Sequence, residues 1–266
     1  MPENYNSTPP LLSVVTVVRD DPAGLVRTSD SFRASIASIP TLADRVEWIV
    51  VDGSYPPAAP ITIPGIRNLR VQQPPRGIFE AMNEGLDHAN GTWIYFLNAG
   101  DIWADNFALK RLLEALSETS SDWGFAQVRF VNPHGQALAE PEWDYAEHRL
   151  TYFACGHFPP HQGTVVRHAI LRRLGGFDTR YRIAADYRAA LQFAKFGDPD
   201  RWPWALAEFH QGGTSTLKWR QALQEMHRAR REIFDPRGWD SLREKWYSAK
   251  QLVAASLARV AASIRG

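Results

Sequence analysis

The chain has 266 residues, enough for one large α/β domain or two small ones, and its 44% hydrophobic and 22% charged residues are typical of a soluble globular protein. The net charge is only +1, and a single cysteine excludes an intramolecular disulfide and fits a reducing cytoplasm. The N-terminus has neither the basic nor the apolar region of a signal peptide, and no run of about 18 uncharged apolar residues occurs, so we expect a cytoplasmic protein without a membrane span.

Three near-continuous apolar runs in the first half of the chain predict strands. Strands that lack polar alternation are typical of sheets covered by helices on both faces. The three runs are LLSVVTVV (11–18), VEWIVV (46–51) and TWIYFL (92–97).

Helical patterns separate these strands. Apolar residues with helical spacing follow the first strand and precede the third, and they are Leu25, Phe32, Ile36 and Ile39, then Ile78, Met82, Leu86 and Ala89. The intervening segment at 55–65 is too rich in proline for a regular element. The resulting alternation predicts a mostly parallel sheet wrapped by helices, with Asp52 and Asp101 at its carboxyl edge, where such sheets bind ligands.

The second half of the chain is less regular. A strand is predicted at 123–131, followed by a loop-rich segment at 132–163. Two further helices, around 170–174 and at about 186–196, precede a strand at 201–209, and two amphipathic helices end the chain. Neither a dinucleotide fingerprint nor a P-loop is present, which argues against a dehydrogenase or an ATPase.

Four strings in a fixed order carry a more specific signal, and they are SVVTVVRDD (13–21), WIVVDGS (48–54), RGIFEAMNEGLDHANGTWIYFLNAGD (76–101) and HQGTVVRHAILRRLGGFDTRYRIAADY (161–187). Together they resemble family 2 glycosyltransferases, in particular the bacterial branch that builds cell-surface polysaccharides and glycolipids. The resemblance implies a GT-A fold, a mixed and mostly parallel sheet with helices on both faces, over residues 11–216. It places the nucleotide-sugar half at 11–101 and the acceptor half at 102–216, and leaves 217–266 as a basic helical tail.

The resemblance implies four contacts with the nucleotide part of the donor. Asp52 would meet the base, although an Asx-turn cap is the alternative role for an aspartate there. Thr16 and Asn83 are weaker candidates, since a strand threonine can be purely structural and an asparagine can simply tie down a loop. Arg76 would approach the phosphates at a helix N-terminus, with a solvated surface arginine as the alternative.

The string Asn98-Ala99-Gly100-Asp101 corresponds to the family's acidic metal motif. Asp101 is its only acid here, so we assign Asp101 to Mg²⁺ or Mn²⁺ and Asn98 to the ribose or phosphates of the donor. His210, just before a glycine turn, is a candidate second metal ligand, and a solvated loop histidine is the equal alternative.

Asp186 matches the family's catalytic base, which takes the proton of the acceptor hydroxyl. The alternative is a helix N-cap, a position that aspartate favours. His161 matches the family's His-Gln pair beside the active site, which implies a contact with donor or acceptor.

The tail carries a charge pattern of its own. Residues 218–266 hold 11 Lys and Arg against 5 Asp and Glu, whereas residues 1–217 hold 19 against 24. Its last helix has an apolar stripe, with basic residues mostly elsewhere, at Leu242, Trp246, Ala249, Val253, Leu257, Val260 and Ile264. Such a helix packs on the body, forms a homodimer or lies on an anionic membrane surface. Because the basic excess lies on this tail and not in a groove, we expect no nucleic-acid partner.

The sequence therefore predicts an inverting, metal-dependent glycosyltransferase that moves a sugar, with UDP-hexose favoured, to a hydroxyl of a glycan or lipid-linked acceptor at the inner face of the membrane. The Gln-x-x-Arg-Trp motif and membrane helices of processive synthases are absent, which predicts one sugar per encounter. The alternatives are a catalytically impaired nucleotide-sugar-binding protein and a nucleotidyltransferase of similar fold.

Overall fold

The computed structural model describes residues 9–131, 152–153, 157–210 and 218–265 of the chain, without the side chains of His210 and residues 258–265. The segment predicted to be loop-rich therefore lies largely outside the described residues. Its last three residues, His161–Gly163, form a short 3₁₀ helix.

The described strands form one mixed sheet. In chain order, β1 to β8 span Leu12–Val18, Val46–Asp52, Arg67–Gln72, Trp93–Phe96, Ile102–Trp103, Trp123–Val131, Thr164–Arg167 and Asp200–His210. Their spatial order is β3-β2-β1-β4-β7-β6-β8-β5. The four strands β3, β2, β1 and β4 are parallel to one another, β7 is antiparallel to β4 and to β6, and β5 is antiparallel to β8.

The helices cover both faces of this sheet. In chain order, α1 to α7 span Pro22–Ala37, Ile78–His88, Ala108–Glu118, His168–Arg173, Ala185–Phe196, Trp219–Phe234 and Gly238–Arg265, and a 3₁₀ helix spans Pro40–Arg45. One apolar cluster joins α2 and α5 to the sheet, and a second joins α1 and α3 to its other face. The predicted GT-A arrangement is confirmed.

The strand β1 shows how the two clusters share the sheet. Val15 and Val17 point into the cluster under α2, while Leu12 and Val14 point into the cluster under α1. Successive side chains of a strand alternate between faces, so a strand covered on both sides must be apolar at nearly every position. This accounts for the continuous apolar runs in the sequence.

Several elements were missed by the sequence patterns. Strand β3 is half-exposed and largely polar, and β5 has only two residues, so neither has an apolar pattern that predicts a strand. Helix α3 and strand β7 were also not predicted, although α3 packs on the same face as α1 and β7 has a buried residue on each face of the sheet. Within the described ranges, no helix has the length and apolar character of a membrane span.

The last helix, α7, is attached to the rest of the protein through polar groups, whereas α6 packs on the body with apolar residues such as Met226 and Ala229. Arg230 of α6 is fully buried, and its guanidinium donates to Glu244 of α7 at 2.9 Å and to the hydroxyl of Tyr187 of α5 at 3.0 Å. Ser248 of α7 accepts from Arg230 at 2.7 Å. The ion pair of Arg230 and Glu244 is thus the contact by which α7 docks. The domain boundary at 216/217 stays a prediction.

We expect Glu244→Gln to destabilise the protein by about 3 kcal/mol, because it leaves the buried charge of Arg230 without its counter-ion. Urea unfolding measures the change. The matched control is Asp240→Asn on the same helix, where an exposed ion pair with Arg243 at 3.9 Å contributes under about 1 kcal/mol. Equal stability of the two variants would show that the docking of α7 does not depend on the buried pair.

Candidate functional site

A tight turn follows β4 at the carboxyl edge of the parallel strands. The backbone N–H of Asp101 donates to the carbonyl of Asn98 at 3.0 Å, and Gly100 inside the turn has a φ of 97°. That left-handed conformation favours glycine, because a β-carbon strains it. The glycine in the middle of the motif is therefore explained by the geometry of the turn.

Thr28 of α1 holds this turn in place. Its buried hydroxyl donates to the carbonyl of Asp101 at 2.7 Å and accepts from the N–H of Gly100 at 3.0 Å. The carbonyl of Asn98 lies 3.2 Å from the same hydroxyl. The turn after β4 is thus fixed to the helix after β1, a contact that the motif itself does not reveal.

Two side-chain oxygens in this turn are candidates for contact with a metal ion or the diphosphate that it binds. The carboxyl group of Asp101 is buried, and the loss of hydration raises its pKa to about 8, against the opposing effect of a hydrogen bond from Gln162. The buried Oδ1 of Asn98 has no hydrogen-bond partner among the described residues. Such oxygens suit Mg²⁺ or Mn²⁺, which complete their coordination with phosphate and water, so the residues fit a divalent cation.

One further carboxylate lies beside this turn, since a β-carbon added at Gly100 would lie 3.7 Å from Oδ2 of Asp21. Within the described ranges, no group of three His, Cys, Asp or Glu side chains converges on one point. His210 ends β8, and the pairing of Ile102 with Glu208 directs that end of β8 toward the turn. Its side chain lies outside the described part, so its role as a ligand stays a prediction.

Asp52 ends β2 with its carboxylate completely buried. One oxygen accepts from the N–H of Ser54 at 2.8 Å, and the other accepts from the N–H of Ala58 at 2.9 Å and from Arg70 of β3. Burial alone would raise the pKa of Asp52, but these hydrogen bonds and the charge of Arg70 lower it. The Asx turn, which the sequence left open as the alternative, is present, and the contact with a base stays a prediction.

Two candidates for the donor site use their polar groups in hydrogen bonds within the fold. Thr16 is fully buried, and its hydroxyl donates to the carbonyl of Leu97 at 2.7 Å and accepts from the indole of Trp48 at 2.9 Å. The amide of Asn83 exchanges two hydrogen bonds, of 2.8 and 2.7 Å, with the backbone of Phe177. We therefore remove Thr16 and Asn83 from the expected donor contacts, because each side chain stabilises the fold beside the site.

Two arginines on this side of the molecule are exposed. Arg76 precedes Gly77, the N-cap of α2, and that helix start has no side-chain cap. Arg27 of α1 reaches the metal-motif turn, since a β-carbon added at Gly100 would lie 3.7 Å from its Nη2. Both guanidinium groups can meet an anionic ligand, and Arg27 was not identified from the sequence.

His161 packs against the end of β4. Its ring centroid lies 5.5 Å from that of Phe96 and 5.8 Å from that of Phe177. Burial lowers the pKa of His161 to about 4, so the ring is neutral at pH 7. Its buried Nε2 has no hydrogen-bond partner in the described part of the chain.

Asp186 and His161 line the same small cavity, of about 20 Å³, with mostly apolar walls. That volume holds about one water molecule. Asp186 is the second residue of α5, and its Oδ1 accepts from the N–H of Tyr187 at 2.8 Å. Burial is the largest influence on the Asp186 carboxyl group and raises its pKa to about 6. The carboxyl group thus lies in a poorly hydrated site and titrates close to neutral pH.

The N-cap alternative for Asp186 is wrong, because the N-cap of α5 is Ala184 and no side chain of its own segment caps it. Glu225 of α6 instead holds the backbone that leads into α5. Its carboxylate accepts from the N–H groups of Arg182, Ile183 and Ala184 at 3.1, 2.9 and 3.0 Å. The position of Asp186 is therefore set by a residue of the predicted tail.

Sequence reasoning missed Thr28, Arg70 and Glu225, which position the candidate residues. Thr28 lies among the buried residues of α1, so a polar residue on an apolar helix face was an available signal. No local signal marks Arg70 or Glu225, since each acts across 18 or more residues of chain.

Comparisons with known proteins identify a family. A family model described as glycosyl transferase family 2 matches residues 13–175. A protein of Mycobacterium tuberculosis strain H37Rv, named an uncharacterized glycosyltransferase, is 28% identical over 214 residues, which are 78% of this chain and 78% of that protein.

Two solved structures share the fold. The mannosyltransferase PcManGT from Pyrobaculum calidifontis, in complex with GDP-Man and Mn²⁺, has a TM-score of 0.61 and 16% identity, and the match covers 97% of this chain and 81% of that chain. S. aureus TarS 1–349 in complex with UDP has a TM-score of 0.60 and 13% identity, over 82% of this chain and 64% of that chain, so this chain spans less than two thirds of its length. Since the family model also matches more than half of the sequence, this protein belongs to glycosyltransferase family 2.

Proposed function

We propose that this glycosyltransferase moves one sugar per encounter, with inversion, from a nucleotide-sugar donor to a hydroxyl of a glycan or glycolipid acceptor. The observation that supports the proposal most directly is that a residue from the acceptor half, His161, packs beside the turn of the donor half. His161 packs on Phe96, two residues before Asn98, and shares a cavity with Asp186. A donor held by the turn after β4 would thus lie beside a carboxylate that titrates near neutral pH.

The donor side is assigned to the carboxyl edge of β1, β2 and β4. Arg76 and Arg27 supply exposed positive charge for a diphosphate, and Asp52 is the candidate for the base. The solved neighbours hold UDP or GDP-Man, and we favour UDP-hexose. Asn98 is assigned to the ribose or phosphates of the donor.

Asp101 would hold the divalent cation, with His210 as a further candidate ligand. A bound cation neutralises the charge that develops on the departing diphosphate. The chain's own residues hold the turn that presents the Asp101 carboxylate, chiefly through the hydroxyl of Thr28.

Asp186 is assigned the role of the catalytic base. Its ionised carboxylate accepts the proton of the acceptor hydroxyl while that oxygen forms the bond to C1 of the sugar and the nucleoside diphosphate leaves on the opposite side. A base with a pKa near the working pH is ionised often enough to act and is still basic enough to take the proton. Neutral His161 in the same cavity contacts donor or acceptor as a hydrogen-bonding group without adding charge.

We also propose that the protein works in the cytoplasm at the inner face of the membrane, where lipid-linked acceptors are found. A catalytically impaired binding protein is the remaining alternative, because the metal motif holds a single acid. It predicts donor binding without turnover, which the tests below distinguish.

Asp186→Asn should lower transfer by about 10²–10⁴-fold, because the amide keeps the shape of the side chain but cannot accept a proton. Donor affinity should be unchanged. In the native enzyme, kcat/KM should fall as the pH drops through about 6, since protonation removes the base, and this acid limb should be lost in the variant. Release of nucleoside diphosphate and product formation measure both effects.

The matched control for Asp186 is Asp198→Asn, an exposed acid beyond the other end of α5, which should transfer normally. Near-normal transfer by the Asp186→Asn variant contradicts the mechanism and leaves the fold assignment standing.

Asp101→Ala should abolish the Mn²⁺-dependent tightening of nucleoside diphosphate binding, because it removes the only carboxylate of the turn. Titration calorimetry with and without Mn²⁺ measures this difference. Asp105→Asn, four residues further on and paired with Arg111 at 2.8 Å, is the control and should keep the metal effect. If the Ala variant still responds to Mn²⁺ like the native protein, the cation is held elsewhere.

Thr28→Val should weaken Mn²⁺-dependent binding of the diphosphate by about tenfold, because the turn loses its hydroxyl anchor and leaves buried backbone groups unpaired. Thr28→Ser keeps the hydroxyl and should restore native binding. Calorimetry on the two variants, with melting temperatures to monitor the fold, makes the comparison. Equal metal dependence in both would show that the turn keeps its geometry without this anchor.

A further inference from the structure

The last helix, α7, turns a polar side to the body of the protein. Glu244 is 1% exposed, and it accepts from Arg230 and lies 2.8 Å from the Nδ1 of His227. Ser248, one turn later, contacts the same two side chains. The docked side of α7 is therefore built from a carboxylate and a hydroxyl, and not from its apolar residues.

The apolar residues of α7 face the opposite way. The large side chains on this side are all exposed to solvent, at 83% for Trp239, 56% for Leu242, 59% for Trp246, 57% for Val253 and 64% for Leu257. With 3.6 residues per turn, their spacing aligns them in one stripe, which we call the outer stripe. Glu244 and Ser248 lie about half a turn away around the helix axis.

Positive charge flanks the outer stripe on both sides. Helical geometry places Lys245 along one edge and Lys250 and Arg243 along the other, and all three are exposed. The ammonium group of Lys250 lies 5.3 Å from the ring centroid of Trp246. The acids of α7 among the described side chains are Asp240 and Glu244, which fall toward the docked side.

We propose that the outer stripe of α7 binds the surface of an anionic membrane, with its apolar side chains in the headgroup region and its flanking lysines on lipid phosphates. Charge complementarity selects this partner. A second copy of the stripe would bring Lys245 and Lys250 of the two chains together, away from the acids of the docked side, whereas anionic lipids supply negative charge at the stripe itself. Indole rings and lysine side chains have an apolar body and a polar end, which suits the boundary between the acyl chains and the hydrated headgroups.

This surface is separate from the candidate active site, so its test does not depend on transfer activity. The full chain should co-sediment with vesicles of phosphatidylcholine containing 30% phosphatidylglycerol, a composition chosen for this test, at least about tenfold more strongly than with phosphatidylcholine alone. Raising the salt concentration should weaken this binding, because salt screens the attraction between lysines and lipids.

The double variant Trp246→Gln/Val253→Gln should bind the anionic vesicles at least about tenfold more weakly, because it removes apolar side chains from the proposed membrane contact. Both side chains are more than half exposed, so the substitutions do not disturb the core. The matched control is Phe107→Gln, an equally exposed apolar residue, 57%, before α3, which should bind like the native chain. Lys245→Gln/Lys250→Gln keeps the stripe and should also lose binding, which tests the charge separately from any folding defect.

Three outcomes would overturn the proposal. Native protein could bind neutral and anionic vesicles equally, or the stripe variant could bind as well as Phe107→Gln. Alternatively, sedimentation could show a native dimer that the stripe variant dissociates while vesicle binding is absent, which would make a second copy the partner.

Discussion

The carboxylate of Glu225 is the contact on which the acceptor side of the site depends. A helix start leaves backbone N–H groups without partners, and Ala184 offers no side chain to cap α5. Glu225 of α6 accepts from the N–H of Ala184, the N-cap, and from the N–H groups of Arg182 and Ile183 just before it, across at least 41 residues of chain. Asp186 lies in the first turn of α5. Helix α6, which lies outside the sequence motifs, therefore fixes the direction of the proposed base. The predicted boundary at 216/217 divides the sequence motifs, but this hydrogen bonding crosses it.

The same arrangement accounts for the electrostatics of Asp186. The start of a helix favours an ionised carboxylate, which would keep the pKa of Asp186 low. Burial among apolar side chains such as Phe96 and Phe177 acts in the opposite direction and is the larger effect, and the nearby negative charge of Glu225 adds to it. The capping carboxylate thus orients the proposed base and also makes its ionised form less stable.

Sequence patterns predicted the central strands because β1, β2 and β4 are buried on both faces and so must be apolar throughout. The patterns could not predict β3, because it is a largely polar strand at the edge of the sheet. This strand nevertheless supplies Arg70, whose charge neutralises that of Asp52. The order of the strands placed Asp52 and Asp101 at one edge, but periodicity could not say where a side chain of a doubly buried strand points. The family resemblance placed Thr16 beside the nucleotide, whereas in the structure its hydroxyl bonds to the carbonyl of Leu97 and the indole of Trp48.

The helix α7 inverts the usual arrangement of an amphipathic helix. A helix that packs by its apolar stripe gains the free energy of burying it, whereas α7 docks by the buried pair of Arg230 and Glu244. A buried ion pair adds little net stability compared with apolar packing, because both charges lose their hydration. In the orientation in which this pair holds the helix, Trp239, Trp246 and their neighbours are exposed. The protein thus keeps in water an apolar surface that its own core could have covered, which is the arrangement expected of a surface that binds outside the chain.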